Sequence, residues 1–314
     1  MELMNLKKPT VCKTRVHKVP GKGDEEITIA LTGDWHVSPL VGTEQLEFLR
    51  SGLAKIKPNL IILQGDLFDT PDYFNDEKLR KQLAMELKLC SELAPTLMVL
   101  GNHDQIRPGH DKYRDFSEFK KYKVFPEAVP AWKKLCEEAK VTLLLDEWFE
   151  LGNLRIFGFF EDEKCCFTGK RWGENLDLIK AKLLRLKKEG KLETDPEKID
   201  WFVSHAPIGK LIKLPELAGF DVFSFGHTHG GSVPRGVDDV FDLIGFHGGF
   251  YAPFGRVLPF HQMRGMTNYH DGRKLIVNSG MVFTQQCAPK PLHNLNFLKA
   301  AEITSVKIKI KNNP

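Results

Sequence analysis

Cysteine is scarce in this 314-residue sequence, and the few present have no metal or redox spacing. Of the 6 cysteines, Cys12, Cys90, Cys136 and Cys287 stand alone and Cys165 adjoins Cys166, so no CxxC pair marks a zinc knuckle or a dithiol centre. Reduced thiols in a cytoplasmic protein are the expectation. Long apolar runs are missing too. Nothing approaches the roughly 18 residues of a membrane-spanning helix, and residues 1–23 mix charge with Pro and Gly rather than carrying the apolar stretch of a signal peptide. Charge of one sign is also lacking. Lys plus Arg number 45 against 41 Asp plus Glu, a net +4, which excludes an acidic disordered chain and a strongly basic nucleic-acid coat. There is no internal repeat, low-complexity tract or linker. With 42% hydrophobic residues, a chain of this length can bury a large core without disulfides or a structural metal.

What is there is a series of short apolar runs separated by helical spacings. Residues 27–31 form a β-branched run, and 42–57 place Leu46, Phe48, Leu49, Leu53 and Ile56 at helical intervals. Residues 60–63 are continuously apolar, the mark of a strand buried on both faces. A helical pattern over 77–93 and an apolar run over 96–100 complete a βαβαβ unit. Residues 105–130 read as a long loop with one short helix. Strands are expected at 141–145, 154–159, 201–204, 221–225, 274–277, near Val282 and at 301–310, with a Lys-rich amphipathic helix at 176–191. In domain terms, residues 1–25 are expected to be a polar N-terminal segment. Residues 26–314 are expected to form a single domain with a Gly- and aromatic-rich insertion at about 232–270. In that insertion Phe250 and Tyr251 are candidates for an apolar wall beside the site or for a cover over a sheet edge.

Short polar motifs stand where apolar strands stop. They are Gly33-Asp34-Trp35-His36, Gly65-Asp66-Leu67-Phe68-Asp69, Gly101-Asn102-His103-Asp104, Ser204-His205-Ala206-Pro207 and Gly226-His227-Thr228-His229. Ligands of open α/β sheets bind beyond the carboxyl ends of strands, so these motifs should converge. Asp34, His36, Asp66, Asn102, His205, His227 and His229 together supply imidazole, carboxylate and amide oxygen. That set suits Mn, Fe or Zn and lacks the thiolates of a structural zinc site. It is too large for one ion and suits two divalent ions if a carboxylate bridges. Asp-x-His and His-x-His alternation works on an extended end or a tight turn.

This ordered set resembles the calcineurin-like metallophosphoesterase superfamily over roughly residues 27–310. The resemblance implies an α/β fold, specifically a four-layer α/β/β/α sandwich with a dinuclear centre at its strand ends. It implies that Asp34, His36, Asp66 and His229 hold one metal, and that Asn102, His205 and His227 hold the other with Asp66 bridging. His103 then faces the substrate phosphate, and Asp69 hydrogen-bonds it. The segments 226–231, 274–280 and 302–304 are similar to those of small bacterial YkuE-type phosphodiesterases, without the membrane-anchoring N-terminus those often carry. Thr70 stands where protein phosphatases of the superfamily place Arg, and Trp35 where a small aliphatic residue or Leu is usual.

The implied activity is hydrolysis of a phosphodiester or phosphoanhydride of a small molecule or lipid headgroup, through a hydroxide bridging two divalent ions. Peripheral membrane contact fits a lipid substrate. The alternative is a nuclease acting on DNA or RNA, for which Lys180, Lys182, Arg185, Lys187, Lys188 and Lys191 would track phosphates. Arg107, Arg235 and Arg256 flank the motifs as further phosphate-contact candidates, with surface ion pairs as the plainer reading.

Overall fold

The computed structural model of the chain describes residues 12–39, 41, 43, 45–107, 123–162, 172–206, 211–229, 237, 240, 243, 263–281 and 301–311. Along them run β1 (Cys12–Val19), β2 (Glu25–Thr32), α1 (Gln45–Ile56), β3 (Leu60–Leu63), α2 (Glu77–Leu93) and β4 (Thr96–Met98). Next come β5 (Ile106–Arg107), β6 (Lys123–Val124), α3 (Ala128–Ala139), β7 (Thr142–Leu143), β8 (Glu147–Leu151) and β9 (Leu154–Gly158). The remainder are α4 (Trp172–Lys188), β10 (Ile199–Val203), β11 (Val222–Phe225), β12 (Gly265–Asn268), β13 (Lys274–Val277) and β14 (Ala301–Ile310).

Two 6-stranded sheets dominate, ordered β1-β14-β2-β3-β4-β7 and β12-β13-β11-β10-β9-β8. In the first, β2, β3, β4 and β7 run parallel and β14 lies antiparallel to β2. In the second, β9, β10, β11 and β13 run parallel, with antiparallel strands at both edges. β5 and β6 make a separate 2-stranded ribbon.

Side-chain alternation turns these sheets into layers. Every residue of β3 is buried. Its Ile61 and Leu63 pack with Leu46, Leu49 and Leu53 of α1, Leu83 and Leu87 of α2 and Trp132 of α3. Its Leu60 and Ile62 pack with Ile199, Trp201 and Val203 of β10 in the other sheet. Phe202, the alternate residue of β10, packs instead with Ile179, Leu183 and Leu186 of α4. Three apolar cores thus separate four layers, helices, sheet, sheet and helix. The fold is the α/β/β/α sandwich that the sequence resemblance implies.

Some elements depart from the periodicity. β1 forms within the segment read only as polar, because its inward Arg15 is buried against Glu302 of β14 rather than being apolar. α3 extends through the end of the expected long loop. Pro130 stands in its first turn, where a missing N–H costs no intrahelical bond. β8 is a half-buried edge strand whose pattern carries little alternation. β12 lies within the expected insertion and pairs with β13. Most of that insertion, with Phe250 and Tyr251, and the strand expected near Val282 fall outside the described residues.

Candidate metal centre

The motif loops meet where the two sheets' parallel strands end. β2, β3 and β4 of the first sheet carry Asp34–His36, Asp66–Asp69 and Asn102–Asp104, while β10 and β11 of the second carry His205 and His227–His229. Main-chain bonds zip the first two loops together. The N–H of Asp34 donates to Gly65 O at 2.9 Å, that of His36 to Asp66 O at 3.0 Å, and that of Val37 to Leu67 O at 2.9 Å. The third loop closes on the second, as His103 N–H donates to Asp66 Oδ1 at 2.8 Å. This approach needs glycine: a Cβ on Gly101 would sit 2.6 Å from Asp66 N.

The backbone here is not extended. Asp34 (φ 49°), His36 (φ 44°), Asp66 (φ 54°), His227 (φ 68°) and His229 (φ 48°) all adopt the left-handed conformation. For non-glycine residues that costs on the order of 1–3 kcal/mol each, and such strain concentrates at functional sites. Tight turns, rather than strand ends, aim these side chains.

Two donor groups result. Asp34, His36 and His229 form one and Asp66, His205 and His227 the other, each with ligand atoms within 4.8 Å of one another, and all of them buried. In the first, His229 Nε2 lies 3.5 Å and His36 Nε2 3.9 Å from Asp34 Oδ1. In the second, His205 Nε2 lies 3.0 Å from Asp66 Oδ2 and 3.1 Å from His227 Nδ1. Asp66 links the groups, because the same Oδ2 is 3.8 Å from His36 Nε2. A third cluster, His36, Asp69 and His103, is a hydrogen-bonded relay. His36 Nδ1 donates to Asp69 Oδ1 at 3.0 Å and His103 Nδ1 donates to the Asp69 carbonyl at 2.8 Å. The Asp69 carboxylate therefore lies nearer to His36 than to His103, whose Nδ1 is 3.5 Å from it. Asn102 is buried beside His103.

The electrostatics are those of a cation site. Burial disfavours the charged form of His36, but the Asp34 and Asp69 carboxylates beside it and the Asp66 charge outweigh it and hold the imidazole up to about 10. His205 is likewise buried, yet the Asp66 carboxylate raises it to about 10. Burial and the neighbouring His205 charge push His227 down to about 3. Asp34 and Asp66 are held below the usual carboxylate range, since the surrounding histidines outweigh their burial. His36 Nε2 and Asn102 Oδ1 are buried and make no hydrogen bond. Orphaned polar atoms in a buried site are costly unless something satisfies them. A divalent cation in each group would do so, and the oxygen and imidazole donors fit Mn, Fe or Zn.

Supporting residues emerge beyond the expected ligands. The Asp104 carboxylate accepts the N–H groups of Asp66 (2.7 Å), Leu67 (3.0 Å) and Gly101 (2.9 Å), clamping two motif loops together. Burial, then the Asp66 charge, raises its pKa to about 7. Gly280 and Met281 follow β13 and brace Asp34: a Cβ on Gly280 would lie 2.5 Å from Asp34 Cβ, and Met281 N–H donates to Asp34 O at 3.4 Å. Glu161, which no motif flags, is buried next to the His205 loop. Asp104 closes a motif and was visible as such; Glu161 has no signal in sequence.

The Lys-rich helix is not a bare cationic face. Lys182 is buried, 2.8 Å from Asp146 Oδ2. Lys180 pairs with Asp177, and Arg185 and Lys191 both pair with Glu189.

Comparison with known proteins bears on this geometry. The family model for calcineurin-like phosphoesterases matches residues 27–231. An uncharacterized metallophosphoesterase of Aquifex aeolicus (strain VF5) is 23% identical over 260 residues, covering 82% of this chain and 77% of that protein. A crystal structure of a dimetal phosphatase from Danio rerio aligns with a TM-score of 0.37 and 12% identity, over 82% of this chain and 88% of that one. The matched span contains every residue of both donor groups together with Asn102, His103 and Asp69, and the chain belongs to the calcineurin-like phosphoesterase family.

Proposed function

We propose that the protein is a dinuclear metal-dependent hydrolase of a small phosphodiester or phosphoanhydride. The observation that carries this reading is the pair of buried donor groups joined by one carboxylate, Asp66, with His36 Nε2 and Asn102 Oδ1 left without hydrogen bonds. Asp34, His36 and His229 would hold one ion, and Asn102, His205 and His227 the other, with Asp66 shared. Bound there, two divalent ions supply Lewis-acid polarisation of the phosphoryl oxygens and an acidified water for in-line displacement.

The protein's own groups supply orientation and proton management. Asp69 accepts from His36 Nδ1, which leaves Nε2 as the nitrogen turned toward the donor group, where a bound metal would replace its proton, the usual arrangement of a carboxylate behind a ligating histidine. The Gln64 carbonyl does the same for His205, accepting from Nδ1 at 2.6 Å. His103 donates through Nδ1 to the Asp69 carbonyl, so Nε2 is the nitrogen left to meet the leaving oxygen; a doubly protonated ring would give that oxygen its Nε2 proton and return to the neutral Nδ1–H form.

A diester is favoured over a phosphoprotein because Thr70 stands where the resembling phosphatases have Arg. Within α4, burial of Lys182 against Asp146 withdraws it from a nucleic-acid track, while Lys180 and Arg185 make only exposed ion pairs. Among the described residues no helix is long and apolar enough to cross a membrane. Cys90 and Cys136 are buried free thiols, raised to about 12 by burial, which agrees with a cytoplasmic protein.

Hydrolysis of bis(p-nitrophenyl) phosphate and p-nitrophenyl phosphate, each with Mn²⁺, Zn²⁺ or Fe²⁺, tests this reading. The diester should turn over faster, with Mn²⁺ the best activator. Preference for the monoester would replace phosphodiesterase with phosphatase, and activity untouched by chelation would end the dinuclear reading.

A further inference from the structure

The side chain of Glu161 is buried, in the loop after β9, and it grips the His205 loop on both sides of the histidine. Its Oε1 accepts from Ser204 Oγ and, at 2.7 Å, from the N–H of Ala206. The same residue's carbonyl accepts from Gln105 Nε2 at 2.7 Å, and that nitrogen also reaches Gly101 O at 3.2 Å. One residue thus joins the loop carrying His205, from the second sheet, to the loop carrying Asn102 and His103, from the first.

The loop that presents Glu161 is itself pinned from behind. Phe160 N–H donates to Asp146 Oδ1 at 3.0 Å. Lys182 of α4 bonds the Phe160 carbonyl, and its Nζ lies 2.8 Å from Asp146 Oδ2 and 3.5 Å from Asp162 Oδ2. The buried lysine, with its ammonium 4.9 Å from the ring centroids of Phe159 and of Phe160, is therefore an anchor. Removing one partner of such a buried set leaves the others uncompensated, which is why these networks hold a single geometry.

We infer that Glu161 is a positioning residue for His205: its carboxylate fixes the main chain on either side of the histidine so that Nδ1 meets the Gln64 carbonyl and Nε2 faces Asp66 and His227. This rests on the proposed metal-centre reading and extends it to a residue outside the motifs. The consequence is selective. Loosening the carboxylate disturbs the Asp66–His205–His227 group and leaves the Asp34–His36–His229 group, held by other contacts, as it is.

The test uses full-length protein and Co²⁺ as the metal. Titrating metal-free Glu161→Ala should show one of two ions weakened about 10–100-fold, the scale for partners behind a ligand, with the other within about threefold of wild type. Turnover lost at low Co²⁺ should return at high Co²⁺. Glu161→Gln retains Oε1 as acceptor for both donors and should stay near wild type, while Ser204→Ala, which removes one of the two bonds, should fall between. Should Glu161→Ala fail to fold, the Gln and Ser204 variants decide. Equal weakening of both ions, no weakening, or a Gln variant as poor as the Ala variant would overturn the inference. A second readout needs no metal. The His205 Nδ1 proton, bonded to Gln64 O, should give a slowly exchanging downfield imidazole signal in metal-free wild type and Glu161→Gln, and none in Glu161→Ala. Persistence of that signal in Glu161→Ala overturns the positioning role. Its loss, alongside a wild type that takes up fewer than two ions, supports the positioning role and refutes the two-metal reading instead.

Discussion

The two donor groups have the same composition, one aspartate and two histidines, and are held by different means. In the Asp34 group the supports are a side-chain carboxylate, Asp69 behind His36, and a close-fitting turn, since a Cβ on Gly280 would lie 2.5 Å from Asp34 Cβ. In the Asp66 group the ligands themselves meet main-chain groups, while the Asp104 and Glu161 carboxylates hold the loops that carry them. His205 leans on the Gln64 carbonyl at the end of β3, and Asp66 Oδ1 accepts from His103 N–H. One pocket therefore rests on a carboxylate bonded directly behind its histidine and on a tight turn, whereas the other rests on main-chain partners of its ligands and on carboxylates that grip the loops. Asp66 belongs to both.

The largest expected effect therefore comes from the shared residue. Asp66→Ala should weaken both ions by more than the 10–100-fold typical of changes behind a ligand, as read by metal analysis after dialysis. One ion retained at wild-type affinity would mean that the groups are independent.

Next is His103→Ala, which should bind both ions normally and lose about 10²–10⁴ in turnover, the scale of general acid catalysis. The loss should shrink with a good leaving group. An equal loss for good and poor leaving groups would assign His103 to charge stabilisation rather than proton delivery.

Gly280→Ala separates the pockets. Its φ of +73° and the crowding against Asp34 put the cost at roughly 1–3 kcal/mol, and the ion of the Asp34 group should weaken while that of the Asp66 group keeps its affinity. A variant that loosens both ions alike would dissolve the contrast between the two supports.

The remaining effect is in pH and is read on stability rather than on metal binding or turnover. In the metal-free protein His36 and His205 are raised to about 10 from an ordinary 6.5. A raised folded-state value means that the stabilisation is fully present below about pH 6.5 and is lost as pH rises through about 10. The urea midpoint of metal-free protein should accordingly be lower at pH 10 than at pH 7. Metal-loaded protein should show a smaller drop, because metal displaces those protons. A metal-free midpoint that held steady from pH 7 to 10 would show that the histidines bind no extra protons in the folded state.

How much could be read in advance depended on which force shapes each part. The βαβαβ start was legible because β3 and β4 are buried on both faces and their apolar runs say so directly. α3 was obscured by Pro130, which reads as a breaker yet sits in the one helical turn that tolerates it. β1 was hidden because its inward residue is Arg15, whose partner Glu302 lies on a distant strand. Lys182 reads in sequence as one cation of a Lys-rich helix, and only the packing of α4 over the β9 loop buries it.

Residue types and local order determined the donor set by themselves. Glycine, aspartate, asparagine and histidine placed where apolar runs stop are local facts, and a strand that ends at a sheet edge exposes the residues next in the chain. The tertiary structure alone decided the grouping: that Asp66 faces both His36 and His205, that Asp69 stands nearer His36 than His103, and that Glu161 grips the His205 loop. Those relations depend on the register between strands far apart in the chain and on the left-handed turns that aim each side chain. Both are settled by packing two sheets against one another, a collective outcome that no short stretch of sequence encodes.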